Sequence, residues 1–295
     1  MDPSTVKIVE ERACAKINLF LRVTGRRADG YHELDSVFLP ISIADEIRLE
    51  IRRSEETTIT LNCDAPDLVS SRNLAAQAAR AFMSEFDLAA QVKIDLRKRI
   101  PVAAGLGGGS SDAGAVLRML ASAAGMEDAD DHRRMRRIAL SLGADVPFFL
   151  DPRSSRVNGI GELIAPIPGV PCMPIVIVAP PFEVSTAAIF RALRPEDFSG
   201  AAADTDIEAV TRGEISPAIA VNDLAAAAIS QFPEIRRLKG LLEESGARAA
   251  QMSGSGGAVF GVFGSAEDAD RAAEKVRKRA PFATVIAAST IGEDS

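Results

Sequence analysis

Between residues 13 and 23 every odd position is apolar: Ala13, Ala15, Ile17, Leu19, Leu21 and Val23. A period of two predicts a strand, over about 11–23, with that face in a core. Lys16 and Asn18 then share the opposite face, about 6–7 Å apart at the strand rise. Strand patterns recur over 34–43, 46–51 and 57–61, and a helical period covers about 72–86. Residues 92–97, V-K-I-D-L-R, alternate once more. A glycine-rich segment at 101–111 follows, then a helix with Val116, Leu117 and Leu120 on one face and Gly125 as its stop. A further helix is predicted over 131–142, ending at Gly143.

The second half opens with an apolar run, 175–178, that reads as a buried strand. Helical stretches are predicted over 186–192, 219–229 and 233–245, strands over 247–252 and 258–263, a helix over 266–279 and a last strand over 283–288. Without the extra helices the order is β-α-β-β-α-β, which is the ferredoxin-like order. Residues 151–171 are rich in Pro, Gly and Ser, and the division into domains 1–160 and 161–295 falls there.

Composition narrows the classes. At 295 residues the chain has the length of two domains, and 47% hydrophobic with 25% charged residues is the balance of a soluble globular protein. No apolar run reaches bilayer-spanning length, and M-D-P-S-T-V-K at the N-terminus carries no signal-peptide pattern, so no membrane partner is expected. Cys14, Cys63 and Cys172 are odd in number and widely spaced, as expected of reduced thiols in a cytoplasmic protein. A net charge of −7 argues against nucleic acid as a partner. The basic run 132–137 reads as a solvated helix face, with Met135, Ile138, Ala139 and Leu142 turned inward.

Chemistry concentrates at 101–111, P-V-A-A-G-L-G-G-G-S-S, which holds four of the chain's 22 glycines. Glycine reaches the positive φ angles that turn several N–H groups toward one anion, and a strand, such a loop and a helix N-terminus together make a phosphate site. The spacing excludes the common versions. There is no lysine for a Walker A loop, and counting six from Gly105 or Gly107 reaches Ser110 or Asp112 where a dinucleotide fingerprint needs glycine. The chain also has no H-R-D or D-F-G. A plain surface turn is the alternative. Asp112 suits the helix dipole but repels phosphate unless its side chain points elsewhere or a cation intervenes.

Other candidates carry two readings each. Lys16 and Asn18 can hold a polyol or a transferring phosphoryl group, or form a solvent-facing strand surface. Tyr31, the only tyrosine, and His32 sit in a glycine-bounded turn. They can stack on a nucleobase and bond its edge, or Tyr31 can cover a core edge. Asp145, in G-A-D-V-P, can cap a short helix with Pro147 in its first turn, or accept a substrate proton or draw in a metal. Residues 253–257, S-G-S-G-G, make a hairpin turn or let a neighbouring backbone or phosphate come close.

Together these residues resemble the GHMP kinases, which act on galactose, homoserine, mevalonate and phosphomevalonate. The loop at 101–111 matches that family's ATP-phosphate signature. A-K-I-N-L-F-L at 15–21, R-A-D-G-Y-H at 27–32, G-A-D-V-P-F-F at 143–149, G-I-G-E at 159–162 and S-G-S-G-G-A-V-F-G at 253–261 narrow the likeness. They point to the members that phosphorylate cytidine diphosphate methylerythritol in the non-mevalonate route to isoprenoid precursors. The resemblance implies an α+β, two-domain fold: an N-terminal ATP-binding domain with a left-handed β-α-β crossover, against the usual hand, and a C-terminal ferredoxin-like domain.

It implies, further, transfer of the ATP γ-phosphoryl group to the 2-hydroxyl of the methylerythritol moiety, with Mg²⁺ accompanying the nucleotide. Asp145 would be the base and Lys16 its charged partner, and Asn18 would hold the methylerythritol part. Tyr31 would stack on the cytosine, His32 would bond its edge, and Phe190, in V-S-T-A-A-I-F, would be the second stacking ring. Pro101, Val102, Ala103, Ala104, Gly105, Leu106, Gly107, Gly108, Gly109, Ser110 and Ser111 would wrap the phosphates.

The sequence departs from the family's pattern at Asp151-Pro152-Arg153-Ser154, where a small-residue strand is usual, and at Ala225, which stands for a glutamate in N-D-L-E. Pro152 removes a backbone donor at that strand's start, and Ala225 is expected to have at most a structural consequence. Another GHMP kinase would not need the Tyr31-His32 pair. A non-catalytic nucleotide sensor would have lost Lys16 or Asp145, and the glycine spacing disfavours a dinucleotide oxidoreductase. Metal ligands are not legible, and monomer and homodimer both remain open.

Overall fold

A computed structural model describes residues 6–126 and 128–292; residues 1–5, on which the leader reading partly rests, lie outside it. The chain forms two compact units that alternate along the sequence. One comprises Met1–Ala15, Ile43–Ile100 and Gly107–Pro152, the other Lys16–Ser42, Pro101–Leu106 and Arg153–Ser295. Two long paired strands, β1 (Val6–Arg26) and β2 (His32–Arg53), supply residues to both.

In the first unit, β3 (Thr58–Cys63), α1 (Leu74–Glu85), β4 (Ala90–Arg97), α2 (Gly108–Ala124) and α3 (Ala129–Leu142) follow β2. β2 pairs antiparallel with β4, from Glu46 opposite Arg97 to Arg53 opposite Ala90. β4 runs parallel to β3, so β3-α1-β4 is a β-α-β unit. Ala75, Ala78, Ala79 and Phe82 of α1 pack with Ala113, Val116, Leu117 and Leu120 of α2 over Val92, Ile94 and Leu96 of β4. The alternation of β4 is thus a buried face and a wet face, as its sequence predicts. Caps agree with the sequence: Asn73 Oδ1 accepts from Ala75 N at 2.9 Å, Gly125 closes α2 at φ +72°, and Gly143 follows α3. His132, Arg133, Arg136 and Arg137 of the basic run are solvated, Arg134 instead is half-buried against Glu85 and the Phe86 ring, and Met135, Ile138 and Ala139 are buried.

The second unit adds β5 (Ser155–Gly159), β6 (Leu163–Pro166), β7 (Pro174–Ala179), α4 (Thr186–Ala192), α5 (Asp204–Thr211), α6 (Ala225–Gln231) and α7 (Glu234–Glu243). It ends with β8 (Ala249–Met252), β9 (Val259–Val262), α8 (Ala266–Arg279) and β10 (Thr284–Ser289). The sheet order β10-β7-β9-β8, antiparallel throughout, is the ferredoxin-like arrangement read from the sequence. Its core joins Val176, Val178 and Val259 to Leu238 and Leu242 of α7 and Ala273 and Val276 of α8.

Three expectations need correction. Residues 34–43 and 46–51 are one continuous strand, β2. Asp45, a poor strand former, is buried inside it because loop N–H groups bond its carboxylate. The helix expected over 219–229 begins only at Ala225. Residues before it pair with β1 instead, through Leu21 N to Val221 O (2.9 Å) and a bridge from Leu21 to Asn222. Short β5 and β6 and helix α5 gave too little periodicity to be read. β5 begins at Ser155, beyond Pro152, so no ladder bond is lost there.

Asp35 of β2 is a second buried carboxylate. It accepts Arg156 Nε at 2.9 Å and Nη2 at 2.8 Å, Asn158 Nδ2 at 3.0 Å and Ala202 N at 2.8 Å. Burial pushes its pKa up, but Arg156, the Ala202 N–H and Asn158 outweigh that and hold the carboxyl below its ordinary value. A depressed folded pKa stabilises above the unfolded value, about 4, and that stability is lost as pH falls through the folded value. Asp35→Ala is therefore expected to cost about 3 kcal/mol at pH 7, by leaving Arg156 without its buried carboxylate. Urea unfolding at pH 7 and pH 3 checks this: the gap between variant and wild type should narrow at pH 3.

Candidate active site

The glycine loop is shaped by positive φ angles at Ala103 (+54°), Gly105 (+76°) and Gly107 (+73°). Gly105 also has no room for a side chain, since a Cβ there would overlap the Ser253 carbonyl oxygen and lie 2.8 Å from that of Gly256. Ser253 Oγ donates to Gly105 O at 3.0 Å, Ala258 N to Ala104 O at 3.1 Å and Lys16 N to Leu106 O at 3.0 Å. The S-G-S-G-G segment does connect β8 and β9, but it is more than a turn: it backs the glycine loop, and the strand carrying Lys16 and Asn18 holds the loop as well.

At the loop's exit Gly107 caps α2, and Ser111 N makes the first helical bond, to Gly107 O at 2.8 Å. The N–H groups of Gly108, Gly109 and Ser110 precede it, at the positive end of the helix dipole. Gly109 is exposed, with only Leu74 Cδ1 near its absent Cβ, at 3.5 Å. Ser111 turns inward and donates to Cys14 O at 2.6 Å, whereas Ser110 is half-buried. The objection raised by Asp112 is met: it is buried, and Lys98 Nζ lies 2.7 Å from Oδ2. Burial holds its carboxyl well above the ordinary range, against the pull of Lys98.

Lys16 and Asn18 are 3% and 2% exposed, so the solvent-facing alternative is wrong. Lys16 Nζ donates to Asn18 Oδ1 at 2.6 Å and lies 4.2 Å above the Phe38 ring. Asn18 Nδ2 donates to Ser36 Oγ at 3.0 Å, which donates to Phe20 O at 2.5 Å, and Asn18 N reaches Ser253 Oγ at 3.3 Å. A buried ammonium and amide, fixed in a polar row beside the glycine loop, form a ready site for anionic or hydroxylated groups. Ser36 was not read from the sequence, because a lone serine carries no spacing signal, and Ser253 was read only as part of the 253–257 segment. Asn222 was also missed; its Nδ2 holds Met252 O and Gly254 O at 2.8 Å each. Ala225, the departure from N-D-L-E, opens α6 and packs on the core.

Tyr31 ends a turn closed by Arg27 N to Tyr31 O at 2.7 Å, with Gly30 at φ +90°. Its ring is 60% exposed, which removes the core-edge reading. His32 is 9% exposed, its ring 5.4 Å from Phe190 and 5.8 Å from Phe198, the latter edge-on. Burial first, and the Arg26 cation second, push its pKa down, so the imidazole is neutral at pH 7 and both donates and accepts. Phe190 lies on α4, capped by Ser185 Oγ accepting from Ala188 N at 3.3 Å. The rings of His32, Phe190 and Phe198 thus lie together.

Asp145 is the N-cap residue of a 3₁₀ turn, Val146–Leu150, with Pro147 in its first turn, as the cap reading has it, but its side chain makes no capping bond. The turn is anchored by burial of Val146, Pro147, Phe148 and Phe149. Phe149 presses on α2 at Gly114, where a Cβ would lie 2.5 Å from Phe149 Cβ and 2.7 Å from its carbonyl oxygen. Arg118 of α2 ties the Phe149 carbonyl to Glu11. Asp145 itself is half-buried, directly before the turn that packs on α2. Among the described residues no three His, Cys, Asp or Glu side chains cluster as a metal cage.

The models of the GHMP kinases N terminal domain and of the GHMP kinases C terminal region match residues 73–151 and 207–281. The chain is 40% identical to 4-diphosphocytidyl-2-C-methyl-D-erythritol kinase of Thermus thermophilus, over 91% of this chain and 93% of that one. It superposes on a crystal structure of 4-(cytidine 5'-diphospho)-2C-methyl-D-erythritol kinase with TM-score 0.83 and 38% identity, covering 96% and 100% of the two chains. A homoserine kinase from Cytophaga hutchinsonii gives TM-score 0.73 at 16% identity over 97% and 95%, a likeness of fold alone.

Proposed function

Because this chain belongs to the 4-diphosphocytidyl-2-C-methyl-D-erythritol kinase family of GHMP kinases, we propose that it transfers the γ-phosphoryl group of ATP to the 2-hydroxyl of that cytidylated alcohol. One observation carries the reading. The strand that presents buried Lys16 and Asn18 also holds the glycine loop, through Lys16 N to Leu106 O at 3.0 Å. Phosphate cradle and acceptor-binding side chains are thereby fixed to one backbone.

The roles follow from chemistry. Residues 101–111 take the ATP phosphates on loop and first-turn N–H groups. The 2-hydroxyl oxygen attacks the γ-phosphorus, the bond to the β–γ bridging oxygen breaks, and ADP leaves with that electron pair. Asp145 accepts the hydroxyl proton. Lys16 offsets charge on the transferring group, and Asn18 holds the methylerythritol part. Tyr31, exposed and free to lie flat on a ring, stacks on cytosine with Phe190, while neutral His32 bonds the base edge. Mg²⁺ carried on the nucleotide would neutralise phosphate charge, a mode usual for this ion. The division 1–160 and 161–295 is proposed as the two family domains, consistent with the stretches their models match. A cytoplasmic enzyme, monomeric or homodimeric and without a nucleic-acid partner, suits the net charge of −7.

An ADP-release assay over cytidine diphosphate methylerythritol, mevalonate, homoserine and galactose tests the proposal. Turnover is expected with the first alone, and turnover with another acceptor but not the first would overturn it. In the same assay Tyr31→Ala should raise KM for the cytidine substrate about tenfold or more, the value of a lost base stack, with kcat within twofold. An unchanged KM would remove Tyr31 from the site.

A further inference from the structure

The segments on either side of the glycine loop share a buried ionic triad outside the machinery described above. Lys98 Nζ lies 2.5 Å from Asp45 Oδ2 and 2.7 Å from Asp112 Oδ2. The lysine side chain is 9% exposed, and both carboxylates are buried. Asp45 Oδ1 also accepts Arg99 N at 2.5 Å and Ile100 N at 2.9 Å. Lys98, Arg99 and Ile100 lead into the loop, and Asp112 is in the first turn of the helix leaving it. The two ends of the loop are therefore tied by side chains at its base.

We infer that Lys98, clamped between Asp45 and Asp112, is a positioning residue that closes the glycine loop into a ring and so sets its affinity for the phosphates of ATP. Three buried charges are a poor device for stability alone, since an apolar trio of similar volume does as well or better. Here the ions do what an apolar trio cannot: they join a loop entrance, a loop exit and two backbone N–H groups by directional bonds. Closing the ends in advance lowers the ordering cost that ATP binding would otherwise meet. The cation also sits close to the phosphate-binding turn. The position of a Cβ on Gly108 lies 3.5 Å from Lys98 Nζ and 3.1 Å from Ile100 Cγ2, so the clamp supports that turn directly. Asp112 Oδ1 is buried without a hydrogen-bond partner, so the Lys98 bond is the one that this side chain is held to make.

The inference rests on the ATP reading, and two measurements separate them. The first needs no ligand: hydrogen exchange of the amides at 103–107 in wild type, Asp112→Ala and Asp112→Asn. Alanine leaves Lys98 paired with Asp45 but unties the exit, and exchange should quicken about tenfold. Asparagine keeps an oxygen for Lys98 Nζ and should exchange within about twofold of wild type. The second is calorimetric binding of the non-hydrolysable analogue AMP-PNP, with steady-state KM for ATP and for the cytidine substrate. Asp112→Ala should raise the AMP-PNP Kd and the KM for ATP about tenfold, leave KM for the cytidine substrate within twofold, and be rescued by Asn. Unchanged exchange in Asp112→Ala, or equal impairment in Asp112→Asn, would overturn the clamp. A wild-type chain that bound no AMP-PNP would overturn the ATP reading, and with it the affinity the clamp is said to set.

Discussion

Asp145→Asn is expected to lower turnover about a thousandfold while leaving the Kd for AMP-PNP within about twofold of wild type. The size follows from the role: a positioned base contributes some 10²–10⁴ in rate, and asparagine keeps the shape of the side chain but cannot take a proton. ATP affinity is spared because the loop is set by other groups. Gly105 packs against the 253–257 segment, Lys16 N holds Leu106 O, and Gly107 starts α2. The turn carrying Asp145 is anchored by Phe149 on Gly114 and by Arg118, neither of which the substitution touches. Single-turnover kinetics with saturating ATP, beside calorimetry with AMP-PNP, separate the two quantities. A variant turning over within tenfold of wild type would mean that the proton leaves by another route and that Asp145 contributes charge or orientation only.

What was legible in the sequence is what local pattern encodes. The alternation of 13–23 placed Ala13 to Val23 in a core, and all six odd positions are buried. The glycine loop announced itself by strand, glycines and helix in succession, and the ferredoxin-like order came from element order alone. What stayed hidden is set by partners far along the chain. Lys16 and Asn18 fit a ligand-holding pair and a wet strand face equally, because the spacing of polar residues at period two does not separate the two. Their burial depends on Ser36 and Ser253, the second of them 235 residues from Asn18. Asp45 interrupted the pattern of β2 and split it in the reading, since nothing local tells that Lys98, Arg99 and Ile100 will satisfy it. The puzzle of Asp112 beside a phosphate loop has the same solution, a lysine 14 residues earlier. Phe198 lacked any motif and enters only through its contact with His32.

The second large effect is expected at Gly105, and a contrast with Gly109 makes it diagnostic. Gly105→Ala should lower the thermal midpoint by about 5 °C or more and weaken AMP-PNP binding at least tenfold. Two costs add. A non-glycine residue at φ +76° meets a left-handed penalty of about 1–2 kcal/mol. Its Cβ would also be driven into the carbonyl oxygens of Ser253 and Gly256. Those are backbone atoms, bound into the segment between β8 and β9, and overpacking of that kind costs about 1–3 kcal/mol. The chain can relieve the clash only by moving the loop off the segment that shapes it, so stability and nucleotide affinity should fall together. Gly109→Ala should part them. Its Cβ would meet only the end of Leu74, at 3.5 Å, on an exposed helical turn. Stability should therefore hold, and helix propensity favours alanine. If phosphate lies against that turn, however, the added methyl stands where an oxygen must come, and affinity should still drop about tenfold. Unaltered binding in Gly109→Ala would move the phosphates away from the helix N-terminus, and a Gly105→Ala protein as stable as wild type would mean that the 253–257 segment yields and does not hold the loop's shape.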